Sequence, residues 1–219
     1  MSPHIPQKVI PRDVYIFYVI DTSASVGQDK VDSIIHSLSA SMDELDEMES
    51  LDLRFWISVL TFGDAVRWLH PEPVRPMDFG DVSVTAGGVR KMKEAFRELK
   101  VKMSVSAFLK FSGRKTAPVV IFMSGGAPED DCQSELDSLW ENGWFEASVK
   151  LAVPICDDAD KDVLGKFVGD PECIINEFDP VFIYRRVLGL GQLTPHIPYV
   201  PDEERPAFFN SEGWKLDDD

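Results

Sequence analysis

The sequence predicts an α/β fold: a doubly wound, mainly parallel sheet with helices on both faces and one short antiparallel strand at its edge. Three observations carry this expectation. Apolar runs of strand length, rich in β-branched and aromatic residues, recur at 14–20, 53–62, 117–123 and 148–155. Unbroken runs of this kind mark strands buried on both faces. Segments with apolar residues at helical spacing fall between most of them, so those strands are joined by crossovers rather than hairpins. The first run ends in Asp21-Thr22-Ser23-Ala24-Ser25, which places a carboxylate at the carboxyl end of a strand, where open α/β sheets hold their ligands.

In chain order, residues 1–12 carry three prolines and form an extended lead-in. Val14–Ile20 is the first strand. Val31, Ile34, Ile35, Leu38, Met42 and Leu45 then fall at helical spacing, and the acids Asp43, Glu44, Asp46 and Glu47 form that helix's solvated face. Leu53–Phe62 is the second strand. Gly63-Asp64 signals a tight turn, and Ala65–Leu69 alternates as a short antiparallel edge strand. A proline-punctuated loop runs from His70 to Pro76. Val84–Gly88 opens the next helix, whose stripe is Val89, Met92, Phe96 and Leu99, while residues 101–116 either continue it to about Leu109 or break into a second segment. Ala117–Met123 is a buried strand running into Ser124-Gly125-Gly126-Ala127-Pro128-Glu129-Asp130. A helix over 133–141, a strand over 148–155, a short helix over 160–168, a last strand over 173–178 and a final helix over 180–190 complete the pattern. The expected organisation is thus a lead-in (1–12), one domain (13–190), and a proline-rich acidic tail (191–219) whose Phe208, Phe209 and Trp214 either pack on the domain or dock on a partner.

Composition narrows the function. With 219 residues, 44% hydrophobic and 27% charged, the chain is long enough to bury one full core and is not of disordered type. A formal net charge of −16 argues against nucleic acid and against anionic membrane faces, and suits cations or basic partners. No run is long enough to span a membrane, and residues 1–6 carry no signal-peptide pattern. Cys132, Cys156 and Cys173 are far apart and lack Cys-x-x-Cys spacing, so neither a disulfide framework nor a zinc site is expected. A cytoplasmic location follows from these features.

Asp21, Ser23 and Ser25 put three hard oxygens in one short loop, which suits Mg²⁺, and also Mn²⁺ or Ca²⁺. The alternative is a serine-rich strand-to-helix turn with Ser25 or a neighbour as N-cap. The Asp-x-Ser-x-Ser motif, closing a hydrophobic strand before an amphipathic helix, resembles the metal-ion-dependent adhesion site of von Willebrand factor A (vWA) domains. The cytoplasmic bacterial branch related to the tellurite-resistance protein TerY is the form most similar over residues 13–190. That resemblance implies a Rossmann-like vWA fold and a metal held by Asp21, Ser23, Ser25 and a threonine of the second loop. Thr85 is the preferred ligand, since a threonine followed three residues later by Gly88 is one family form. Aligning on Gly87-Gly88 instead puts Val89 where TerY-like proteins carry theirs. In the third loop the family pattern Thr-Asp-Gly-x-Pro-x-Asp becomes Ser124-Gly125-Gly126-Ala127-Pro128-Glu129-Asp130. Gly125 therefore stands in place of an aspartate, and the site is partly degraded. Glu129 and Asp130 either compensate or are solvated charges, with Asp130 or Asp131 capping the next helix.

The resemblance implies a protein-interaction module whose metal is completed by a carboxylate of the partner, in a stress-response system with kinase-like and phosphatase-like members. The alternative is a vWA scaffold without a functional metal that binds through other surfaces. A phosphoryl-transfer hydrolase using Asp21 is disfavoured, because Ser23 stands where haloacid-dehalogenase phosphatases carry a second aspartate. No nucleotide-binding or nucleophile-elbow motif occurs, and His4, His36, His70 and His196 lack catalytic company. The chain is not expected to be an enzyme.

Overall fold

The computed structural model describes residues 9–176. Its strands are β1 (Arg12–Asp21), β2 (Leu53–Phe62), β3 (Val66–Trp68), β4 (Arg114–Lys115), β5 (Val119–Ser124) and β6 (Val149–Pro154). Its helices are α1 (Gln28–Met48), α2 (Met92–Lys102), α3 (Gln133–Trp140), α4 (Gly143–Glu146) and α5 (Lys161–Val168). The sheet order is β3-β2-β1-β5-β6, with β4 pairing the start of β1. All pairings are parallel except β2 with β3. The fold class expected from the sequence, including the antiparallel edge strand, is the one observed.

β1 lies at the centre because its residues are apolar on both faces, so helices must cover both. Tyr15, Phe17 and Val19 pack with Met92, Phe96, Leu99, Leu136, Leu139, Phe145, Leu164 and Phe167, contributed by α2, α3, α4 and α5. The alternate residues Val14, Ile16, Tyr18 and Ile20 pack with Val31, Ile34, Ile35, Leu38, Met42 and Leu45 of α1. Phe122 of β5 is fully buried, with Phe62, Phe96 and Phe167 at 5.9, 5.5 and 4.6 Å between ring centroids. Truncating such a ring costs about 3–5 kcal/mol, so the strand that leads into the third loop is rigidly held.

Several local expectations change. α1 begins after Gly27, whose φ of 84° demands glycine, and that cap uses no side chain; Ser25 is therefore free of a capping role. α2 begins at Met92, so Val89 stays outside its stripe and is 51% exposed. α2 ends at Lys102, and turns followed by β4 occupy the ambiguous stretch beyond it. β4 and α4 carried no sequence signal long enough to notice: one has two residues, the other four. Asp160 lies before α5 as its N-cap, accepting the amides of Asp162 and Val163. The expected strand at 173–178 is replaced, within the described residues, by a 3₁₀ turn at Pro171–Cys173 and a single bridge from Ile174 to Ala152. Residues 1–8, the expected helix at 180–190 and the tail lie outside the described residues. All three cysteines are free, and only Cys132 is fully buried. Among the described residues no helix is long and apolar enough to cross a membrane.

Candidate functional site

β1 delivers Asp21 to the carboxyl edge of the sheet in register with Phe62 of β2. The Thr22 amide and hydroxyl both donate to the Phe62 carbonyl, which fixes the turn that follows. Asp21 is completely buried. Its Oδ1 accepts the Ser23 amide at 2.9 Å and the Ser23 hydroxyl at 2.6 Å. Ser23 Oγ in turn lies 3.2 Å from Ser25 Oγ. The three hard-oxygen residues singled out in the sequence therefore do converge, each two positions from the next because the chain folds back in a side-chain-bonded turn.

Two further loops close over them. The Gly87 amide donates to the Thr22 carbonyl at 2.8 Å, and the Ala24 amide to the Gly88 carbonyl at 3.0 Å. Gly88 has φ of 68°, and a Cβ there would sit 2.3 Å from the Asp64 Cα; no side chain fits at Gly88 against the turn between β2 and β3. From the third loop, the Gly125 amide donates to Asp21 Oδ2 at 2.9 Å and the Ser124 hydroxyl at 3.3 Å. Glu129 accepts the Arg90 amide and Asp130 the Lys93 amide. These two acids thus tie the third loop to the start of α2; they do not cap α3, which begins after Cys132. Burial raises the Asp130 carboxyl above its ordinary range, opposed by the Lys93 amide bond.

The side chain that meets Asp21 is Arg90. Its Nε lies 2.5 Å from Asp21 Oδ2, its Nη2 donates to Ser25 Oγ at 2.6 Å, and its Nη1 donates to the Ala127 carbonyl at 2.7 Å. The Arg90 side chain is only 6% exposed. The sequence reading of this loop rested on Thr85 and did not single out Arg90. The signal that could have found it is the basic residue just beyond Gly87-Gly88-Val89, at the same end of the sheet as Asp21.

A divalent ion does not fit the site as it stands. The Arg90 guanidinium already stands 2.5 Å from Asp21 Oδ2, where a cation held by that carboxylate would sit. Ser25, the next expected ligand, is bonded to the same guanidinium. Thr85 is exposed, and among the described residues no hydrogen bond joins it to Asp21, Ser23 or Ser25; Gln28 holds the chain on either side of it through the Val84 carbonyl and the Ala86 amide. Val89, the other alignment, is also exposed and offers no donor. At Gly125 a Cβ would lie 2.9 Å from Val26 Cγ2 and 3.0 Å from Cys156 Sγ, so the space that a third-loop aspartate would need is filled. Among the described residues no group of three or more His, Cys, Asp or Glu side chains is placed to hold a metal.

No family model matches the chain, and no curated protein matches it. Solved structures do. Proximal thread matrix protein 1 from the mussel byssus superposes with a TM-score of 0.59 at 15% identity, over 84% of this chain and 48% of that one. The manganese-loaded TRAP protein of Plasmodium vivax gives 0.56 at 14% identity, over 80% of this chain and 72% of that one. A von Willebrand factor type A protein from Catenulispora acidiphila gives 0.54 at 13% identity, over 82% and 42%. The chain spans about half the length of the mussel protein it matches. The fold is that of vWA domains. Some of these neighbours carry metal: the mussel protein is also known with a zinc-occupied MIDAS motif.

Proposed function

We propose that this chain is a protein-interaction module whose partner docks on the loop rim above Asp21 and is captured without a bridging metal. The Asp21–Arg90 pair carries this reading, because it neutralises the carboxylate from within and stands where a bound cation would. Around the buried pair the exposed rim carries the small or apolar residues Ala24, Gly88, Val89 and Ala127, beside Ser25 and the acid Glu129. A surface of this kind suits contact with a protein, and the formal charge of −16 favours a partner with a basic face. Catalysis has little support. Asp21 is engaged on both oxygens, His36 is exposed on α1, and His70 lies against the Phe79 carbonyl. A TerY-like role in a cytoplasmic stress-response assembly is the narrower form of the proposal, and it rests on the loop motifs alone.

The test is cross-linking to a partner identified by mass spectrometry, with and without chelator. Val89→Asp on the rim should abolish capture, whereas Val101→Asp on the last turn of α2 should leave it intact; chelator should have no effect. A second reading keeps the metal, favoured by the 3.2 Å approach of Ser23 and Ser25. There, Mg²⁺, Mn²⁺ or Ca²⁺ would displace Arg90, sit on Asp21, Ser23 and Ser25 with Thr85 drawn in, and take a carboxylate from the partner. Capture lost on chelation would favour that reading and sink the first.

A further inference from the structure

We infer that Arg90 is the built-in cation of this vWA-type site, a tethered guanidinium that takes the role a divalent ion plays between the Asp21 loop and its neighbours. It deepens the metal-free reading above and rests on it.

Three features show that the guanidinium is seated by design of the surrounding loops rather than resting there by chance. Each of its nitrogens has a separate acceptor: Nε on Asp21, Nη2 on Ser25 and Nη1 on the Ala127 carbonyl. It therefore joins the first and third loops while belonging to the second, which is the bridging task of a metal at such a junction. Its backbone is bracketed by the Glu129 bond to its own amide, the Gly87–Thr22 and Ala24–Gly88 bonds, and Lys91 Nζ on the Asp64 carbonyl. Lastly, the room it occupies exists because Gly126 has no side chain. A Cβ at that position would lie 2.9 Å from Nη1, 3.1 Å from Nη2 and 3.2 Å from Cζ. Gly125 thus stands where a carboxylate would add negative charge, and Gly126 where a Cβ would press directly on the guanidinium.

The chemistry follows. One carboxylate faces one guanidinium, so the pair is neutral. A planar fork suits an acceptor set of carboxylate, hydroxyl and carbonyl arranged around it. A free ion entering the site must displace a competitor that is covalently attached and already oriented, and that competitor's effective concentration is set by the tether rather than by the solution. At 6% side-chain exposure and with every nitrogen engaged, Arg90 also has little left to offer a partner's carboxylate. The consequence is a site that is permanently charged-compensated and indifferent to metal supply. Withdrawing Arg90 should leave Asp21, Ser23 and Ser25 as a latent divalent-cation site.

Mn²⁺ alone is the probe, read by calorimetry and by the shift in thermal unfolding, on full-length chains stripped with chelator. Wild type should show no saturable binding. Arg90→Ala should bind at least about tenfold more tightly than wild type and should be stabilised by the ion, and adding Asp21→Asn should remove both effects. Wild type that binds Mn²⁺ as tightly as Arg90→Ala overturns the inference, and so does a folded Arg90→Ala protein that binds none. Should Arg90→Ala fail to fold in chelator, refolding is followed by circular dichroism. Recovery with Mn²⁺ but not with NaCl of equal ionic strength supports the inference. A chain that stays unfolded in both overturns it, because the ion is then no substitute for the guanidinium. None of these measurements involves a partner. Failure here leaves docking on the rim standing, while capture that tolerates Val89→Asp would sink the docking reading and leave Arg90's role intact.

Discussion

β1 carries a fully buried aspartate at each end, and each is met by an arginine. At the start of the strand, Asp13 accepts from Arg54 at 2.6 Å, from the Ser112 and Gly113 amides at 2.8 and 2.7 Å, and from the Trp56 indole at 3.3 Å. Arg54 is the register partner of Asp13 on β2, so strand pairing alone brings the two together. At the other end Arg90 comes from a loop 69 positions away. The Arg54 side chain is 25% exposed and the Arg90 side chain 6%. The same two functional groups therefore do different work. One clamps the blunt end of the sheet, where water shares the load. The other is sealed at the edge where α/β folds place ligands, and there it fills the ligand's place.

The strongest way to break this comparison is Arg90→Ala. Removing one member of a buried pair leaves an uncompensated charge and costs about 3–5 kcal/mol, to be read by denaturant unfolding in chelator. A third buried charge sharpens it. Lys150 on β6 is held by the Glu146 and Ser148 carbonyls and lies against the rings of Trp140 and Phe145. Burial depresses its pKa from 10.5 to about 8. Between those values the unfolded chain keeps a proton that the folded chain has shed, so this group's contribution to stability rises with pH through the window from about 8 to 10.5. Lys150→Met should remove that rise, a difference on the order of 3 kcal/mol between the two proteins across the window. Equal pH slopes for the two proteins would refute it.

Smaller effects test the exposed end and the rim. Arg54→Ala leaves Asp13 three other residues donating to it and should cost about 1–2 kcal/mol, less than the Arg90 change. Equal costs would mean that the two ends of β1 do not differ as described. Thr85→Ala, at an exposed position outside the Asp21 network, should change stability by no more than about 0.5 kcal/mol. It should also leave Mn²⁺ binding by the Arg90→Ala protein within about twofold of its value with Thr85 present. A larger loss of binding would restore Thr85 as a ligand of the uncovered site.

The fold was legible because its signals are local. A run such as Val14–Ile20 is apolar at every position, and only a strand covered on both faces buries all of it. The stripe from Val31 to Leu45 needs nothing beyond helical spacing to be recognised. Boundaries were less legible where the deciding partner is distant. Val89 has the spacing of α2's stripe, yet the loop carrying it is pinned to Thr22 and Ala24, so helix begins only at Met92. Cys173–Asn176 has strand-like composition, but only Ile174 pairs, beside β6.

By itself the sequence determined the α/β class, the central strand, and the convergence of Asp21, Ser23 and Ser25 on one loop, because these depend on residues a few positions apart. Only the tertiary structure decided what faces that carboxylate. Thr85 and Arg90 are near neighbours in the chain and both lie in the second loop. Which one reaches Asp21 depends on the close approach of Gly88 to Asp64, the absent side chain at Gly126, and the carbonyl of Ala127. Those contacts join loops up to 37 positions apart. Composition and spacing report the charge of a side chain, but a guanidinium fills an ion's place only when three separate loops leave a cavity of its shape.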